Sequence, residues 1–201
     1  MALVVTHNST ADGDPLIDGD DWNANHTLTG GGTFRIPKHI ETKTLSDAST
    51  TTFSSLDGDA DEEYLLVVNV SLTRNSKAHS NLQIKPNNQT SNQNGTARET
   101  ITSGATSTSS AWGEPLIWVG STSGSETGKV TGETYIYAKS GSNRNFAAKW
   151  VRTGASLTAI TSLVGRWTDT STNITSLVIA PTDGGTVTGK IKLYKMVDLA
   201  I

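Results

Sequence analysis

Hydrophobic and polar residues alternate along much of the chain beyond residue 63. In residues 64–73, Leu66, Val68, Val70 and Leu72 share one face while Asn69, Ser71 and Thr73 share the other. A period of two puts successive side chains on opposite sides of a half-buried strand. Residues 129–139 set Val130, Thr134, Ile136 and Ala138 against Glu133, Tyr135, Tyr137 and Lys139. Residues 145–153 set Phe146, Ala148 and Trp150 against Lys149, Val151 and Thr153. Further strands are expected over 82–84, 116–119, 157–167, 174–180 and 188–197, with one or two edge strands within 42–53. No stretch holds a 3.6-residue period over three turns. The pattern predicts an all-β fold, an antiparallel β-sandwich of jelly-roll-like kind.

Residues 1–33 read differently, as an extended N-terminal arm ahead of a sandwich domain at 34–201. Asp12-Gly13-Asp14-Pro15 and Asp18-Gly19-Asp20-Asp21 are stacked turn signals, and Gly30-Gly31-Gly32 serves as a hinge. Residues 3–5 suit a short strand. Leu16, Ile17, Trp22 and Leu28 are spaced too irregularly for either period, as expected of apolar anchors on an arm that folds against a partner. Within the body, residues 87–111, 120–128 and 140–143 are almost wholly polar and are expected as loops at the ends of the sandwich, where recognition is often placed.

Composition narrows the function classes. The chain has 201 residues, of which 22 are Ser and 31 Thr, and only 17% are charged. That bias favours strands and turns. The absence of cysteine excludes a disulfide framework, thiol catalysis and Cys-ligated zinc. No apolar run approaches the ~20 residues of a membrane-spanning helix, and the N-terminus lacks a signal-peptide pattern. The net charge of −3 argues against a dedicated nucleic-acid binder. Charge is uneven: residues 1–63 carry 12 acidic and 3 basic side chains, and residues 64–201 carry 7 and 13. Opposite potentials of this kind can steer copies together, although aspartates also populate turns for local reasons.

Chemical motifs mostly fail on inspection. Gly184 to Lys190 matches the start of a phosphate-binding loop, but Ile191 stands where Ser or Thr must bind magnesium and a strand follows instead of a helix. It reads as a hairpin turn. Asp57, Asp59 and Asp61 begin like a calcium loop, yet Glu62 and Val68 occupy the positions requiring Gly and Glu. An irregular calcium site remains one reading of these three carboxylates, and solvated turn residues the other. His7, His26, His39 and His79 show no ligand spacing. Six Asn-x-Ser/Thr triplets follow from the composition. No catalytic constellation or cofactor is expected. Among the aromatics, Trp118 and Trp150 belong to apolar strands and read as core. Trp112, Tyr135 and Tyr137 could stack on sugar rings or be buried between subunits.

The segment Asp20-Asp21-Trp22-Asn23-Ala24-Asn25-His26-Thr27-Leu28-Thr29-Gly30 resembles the D-W-N-A-x-H segment near the N-terminus of many tailed-phage virion proteins. Gly165-Arg166-Trp167, residues 174–179 and Gly189-Lys190-Ile191-Lys192-Leu193-Tyr194 are similar to the closing strands of phage surface β-sandwiches. The resemblance implies a structural, non-enzymatic virion part, made in the host cytoplasm and displayed on the particle surface. Leu16, Ile17, Trp22, Asn23, His26 and Leu28 would belong to its anchoring arm. It further implies a homo-oligomer, with a trimer favoured, docked on capsid or tail proteins. A fibre or adhesin contacting host-surface glycans is the first expectation and a capsid decoration the second. A carbohydrate-binding module is the reading from a different class.

Overall fold

The computed structural model describes residues 4–6, 27–29, 33–73, 75, 79–101, 106–112, 117–123, 128–153 and 158–200. The chain divides into two compact units, Met1–Ile36 with Val197–Ile201, and Pro37–Met196. In the first, strand β1 (Val4–Thr6) pairs antiparallel with β2 (Thr27–Thr29), Val5 opposite Leu28. Arg35 Nε lies 2.9 Å from Asp198 Oδ1 in the same unit.

The second unit is a two-layered antiparallel β-sandwich. Its strands are β3 (Thr33–Ala48), β4 (Thr51–Phe53), β5 (Glu63–Thr73), β6 (His79–Pro86), β7 (Gln93–Ile101), β8 (Thr106–Trp112), β9 (Ile117–Ser123), β10 (Gly128–Tyr137), β11 (Arg144–Thr153), β12 (Thr158–Trp167), β13 (Leu177–Pro181) and β14 (Thr186–Ala200), residues 33–36 of β3 and 197–200 of β14 being counted in the first unit. One short helix, α1 (Gly58–Asp61), precedes β5. The larger sheet runs β3-β14-β5-β10-β11-β12-β7-β8 and the smaller β4-β13-β6-β9. The smaller sheet lies over the larger, β9 against β10 and β11.

Alternation decides which side chains meet between the layers. Strand β11 is buried and exposed at strictly alternating positions, with Phe146, Ala148 and Trp150 inward. Strand β5 sends Tyr64, Leu66, Val68, Val70 and Leu72 into the same layer, and β14 adds Val187, Ile191 and Leu193. Phe53, Leu82, Ile84, Leu177 and Ile179 come from the smaller sheet. Burial of this apolar surface, at about 25 cal/mol per Å², holds the layers together. Trp150 is 1% exposed and stands directly opposite Gly132 of β10. A Cβ on Gly132 would come within 2.4 Å of both Trp150 Cβ and the Lys149 carbonyl oxygen, so only glycine fits.

Three expectations need correction. Residues 120–123, read as part of a loop, belong to β9. Residues 93–101 and 106–111, also read as loop, form β7 and, with Trp112, β8, which extend the large sheet beyond β12. Their polar side chains gave no alternation to read, whereas the ladder with β12 runs from Trp167 opposite Gln93 to Ala159 opposite Ile101. The strand near residue 42 starts at Thr33 and is 16 residues long, followed by the short β4. It forms one edge of the large sheet. There Pro37 has no amide hydrogen to donate, Lys38 is exposed, and Lys43 Nζ pairs with Glu41 at 2.6 Å.

Candidate binding surface

The outward side of the large sheet follows from the same alternation. On β10 the outward residues are Lys129, Thr131, Glu133, Tyr135 and Tyr137, set between the buried Val130, Thr134 and Ile136. On β11 they are Asn145, Ala147, Lys149, Val151 and Thr153. An antiparallel sheet with one wet face normally keeps that face polar. This one does not.

Strand register gathers the apolar exceptions into lines across the sheet. Tyr194 of β14 stands opposite Leu65 of β5, Leu65 opposite Tyr135, Tyr135 opposite Ala147 and Ala147 opposite Val164 of β12. Five neighbouring strands therefore contribute one lateral row. Leu65, second in the row, is buried, Tyr194 and Tyr135 are half-buried, and Ala147 and Val164 are exposed, Val164 at 64%. His39 of β3 continues past Tyr194, the two rings meeting edge-on at 5.4 Å. Two positions farther along the strands, the row is Lys192, Val67, Glu133, Lys149 and Ser162. Beyond it come Lys190, Asn69, Thr131, Val151 and Ile160. Val151 and Ile160 are direct cross-strand partners and both are exposed. Tyr137, half exposed, extends the apolar surface at the end of β10. Exposed apolar side chains grouped in this way mark contact surfaces, whereas isolated ones are ordinary.

The acidic cluster is engaged in hydrogen bonds around α1. Asp57 caps α1, its Oδ1 accepting from the Ala60 amide at 3.2 Å and from Asn173 Nδ2 at 2.9 Å. The Asn173 side chain, chiefly, with the Ala60 amide behind it, lowers the Asp57 pKa. Asp59 Oδ1 accepts from the Ser140 amide at 2.6 Å, and Ser140 holds that carboxyl below its ordinary range. Asp61 receives the Tyr64 hydroxyl at 2.9 Å and Lys195 Nζ at 2.7 Å. Burial, reinforced by Asp61, raises the Tyr64 pKa. The three carboxylates thus face three separate sets of donors. No group of three His, Cys, Asp or Glu side chains able to hold a metal ion occurs among the described residues.

Those contacts tie together the loops beside α1. Asn173 Oδ1 accepts from the Asp59 amide at 3.1 Å. Asn87 donates to the Asn173 carbonyl at 2.7 Å while its own Oδ1 accepts from the Thr175 and Ser176 amides at 2.8 and 3.1 Å. Arg144, fully buried, donates through Nη2 to the Thr172 carbonyl and stands 5.0 Å over the Trp167 ring. Asp169, 3.9 Å from Arg144 Nη1, collects the Ser171 and Thr172 amides. Hydrogen bonds from Thr172, then Ser171, pull its pKa down to about 2.

The residues singled out in the sequence are therefore scattered. Tyr135 and Tyr137 share the outward face of β10. Trp112 closes β8, opposite Gly95 in register, and Leu28 lies in β2. Leu16, Ile17, Trp22, Asn23 and His26 lie outside the described residues. Leu65, Val164, Ile160 and Tyr194 were not singled out. Their parity along each strand was readable, but their adjacency depends on a strand order that parity does not give. Comparison with protein-family models, curated proteins and solved structures finds no match to this chain.

Proposed function

We propose that this chain is a non-enzymatic structural protein of a tailed-phage virion. Its N-terminal arm docks it on the particle, and its β-sandwich is displayed as a fibre or adhesin contacting host-surface glycans. The virion assignment rests on the resemblance carried by residues 20–30. The glycan contact rests on one observation, the lateral row of Tyr194, Leu65, Tyr135, Ala147 and Val164 on the outward face of the large sheet. Tyrosine offers a rigid apolar face with a polar tip, and flanking aliphatic carbons suit the C–H faces of pyranose rings. The surface is framed by Thr131, Asn69, Ser162 and Asn145, which supply polar contacts at its margin.

A glycan array probed with the full chain tests this reading. Selective saccharide binding is expected, weakened about tenfold or more by the Tyr135→Ala/Tyr137→Ala pair with an unchanged melting temperature. No binding to any host envelope saccharide, together with particles that fall apart when the protein is withheld, would replace adhesion by capsid decoration. Sedimentation of the full chain measures the copy number, for which three is expected.

A further inference from the structure

The charges on the outward face of the large sheet are unbalanced. Lys129, Lys149, Lys190 and Lys192 are exposed there, and Arg166 lies at the outward end of β12. Against them stand the exposed Glu133, directly opposite Lys149 in register, the buried Glu63, and Asp47, which accepts from the outward Thr188 hydroxyl at 3.2 Å. None of the four lysines makes an ion pair among the described residues. Lys192 and Lys149 lie in the row immediately beside Tyr194, Leu65, Tyr135, Ala147 and Val164, on β14 and β11. Two residues along a strand is about 7 Å, and three strand spacings are about 14 Å. Ammonium groups on flexible stems therefore flank the apolar row at two places within reach of one extended ligand.

That placement discriminates among occupants. A second copy meeting this face with its own would bring together two surfaces that each carry more lysine than carboxylate, and like net charge across an interface opposes association. A nucleic acid would satisfy the lysines. It could also stack on Tyr135 and Tyr137, but the chain carries a net charge of −3, against the basic balance of a dedicated nucleic-acid binder. A saccharide with anionic groups uses both features at once, its C–H faces on the row and its charges on the lysines. We propose that the outward face of the eight-stranded sheet binds an acidic polysaccharide, carboxylated along its length, with Lys149 and Lys192 meeting its carboxylates. This deepens the glycan-contact reading above and rests on it.

The test uses the full chain and a panel of polyuronates, hyaluronate and polysialate, each beside its methyl-esterified or neutral counterpart, with an oligothymidylate as a polyanion control. Binding to at least one acidic member is expected, with weaker binding to its uncharged counterpart and weakening as salt rises. The Lys149→Gln/Lys192→Gln variant should lose about tenfold in affinity for the acidic form, since each exposed pair contributes modestly. Its affinity for the neutral form and its melting temperature should not change. Equal binding of charged and uncharged counterparts would overturn the charge assignment while leaving glycan contact in place. Failure of every saccharide would overturn both readings. An oligothymidylate bound as tightly as the best acidic polysaccharide would overturn the inference in favour of nucleic acid.

Discussion

Replacing Gly132 by alanine adds one carbon at the most crowded point between β10 and β11. The added Cβ would lie 2.4 Å from Trp150 Cβ, 2.4 Å from the Lys149 carbonyl oxygen and 2.6 Å from Trp150 Cα. Carbon atoms in favourable contact sit about 3.5–4.0 Å apart, so the strands must separate by about 1 Å or more. No side-chain rotation relieves this, because the obstructing atoms belong to the β11 backbone or are fixed to it. Overpacking of a filled core costs about 1–3 kcal/mol, and a backbone obstruction belongs at the upper end. Alanine recovers about 0.5–1 kcal/mol of the chain entropy that glycine loses on folding, leaving a net loss of about 2 kcal/mol. For a chain of this size that lowers the melting temperature by about 4–8 °C. Thermal unfolding followed by tryptophan fluorescence reads it directly, since Trp150 is the ring displaced. Gly141 supplies the control: it has open space around it but a φ of +92°. There alanine is disfavoured by backbone conformation alone, and asparagine, which tolerates positive φ, should cost less. At position 132 asparagine should be no better than alanine. A Gly132→Ala melting temperature equal to or above that of the unaltered chain would refute the packing argument.

Other consequences can be checked by denaturation. Asn87→Ala removes the acceptor that its side chain offers to the Thr175 and Ser176 amides, and should destabilise the chain by about 0.5–1.5 kcal/mol in urea titration. Asp169 has a folded-state pKa of about 2 against an ordinary 3.8. Its stabilisation is therefore complete above about pH 4 and disappears as pH falls through about 2. The urea midpoint should drop across that interval, and Asp169→Asn should flatten the drop.

The strands that build the core were legible because each pairs an apolar face with a polar one. In β11, Phe146, Ala148 and Trp150 alternate with Asn145, Ala147 and Lys149, and the structure follows that alternation throughout. Strands β7 and β8 lack such contrast. A run such as Thr-Ser-Thr-Ser-Ser is polar on both faces, so its partner strand defines it. The acidic segment was legible as chemistry, but the distant groups that its carboxylates bind were not. Its donors come from Asn173, Ser140 and Lys195, which lie 116, 81 and 134 positions away from the carboxylates they serve. The binding face was half legible. Tyr135 and Tyr137 were assigned to the outward side of β10 from parity, but the line through Leu65, Ala147 and Val164 exists only once β5, β10, β11 and β12 are placed side by side.

The edge strand β3 bears on how crowded copies of this protein behave. A sheet that ends in a long strand invites another chain to add to its ladder, the route by which many β proteins form fibrous aggregates. Here the edge strand carries Pro37, which has no amide hydrogen, and the charged Lys38, Glu41 and Lys43, residue types that discourage such addition. They weaken this edge as a template for its own continuation. Many copies held close together can therefore remain separate folded bodies, joined through side-chain surfaces that can be altered one residue at a time.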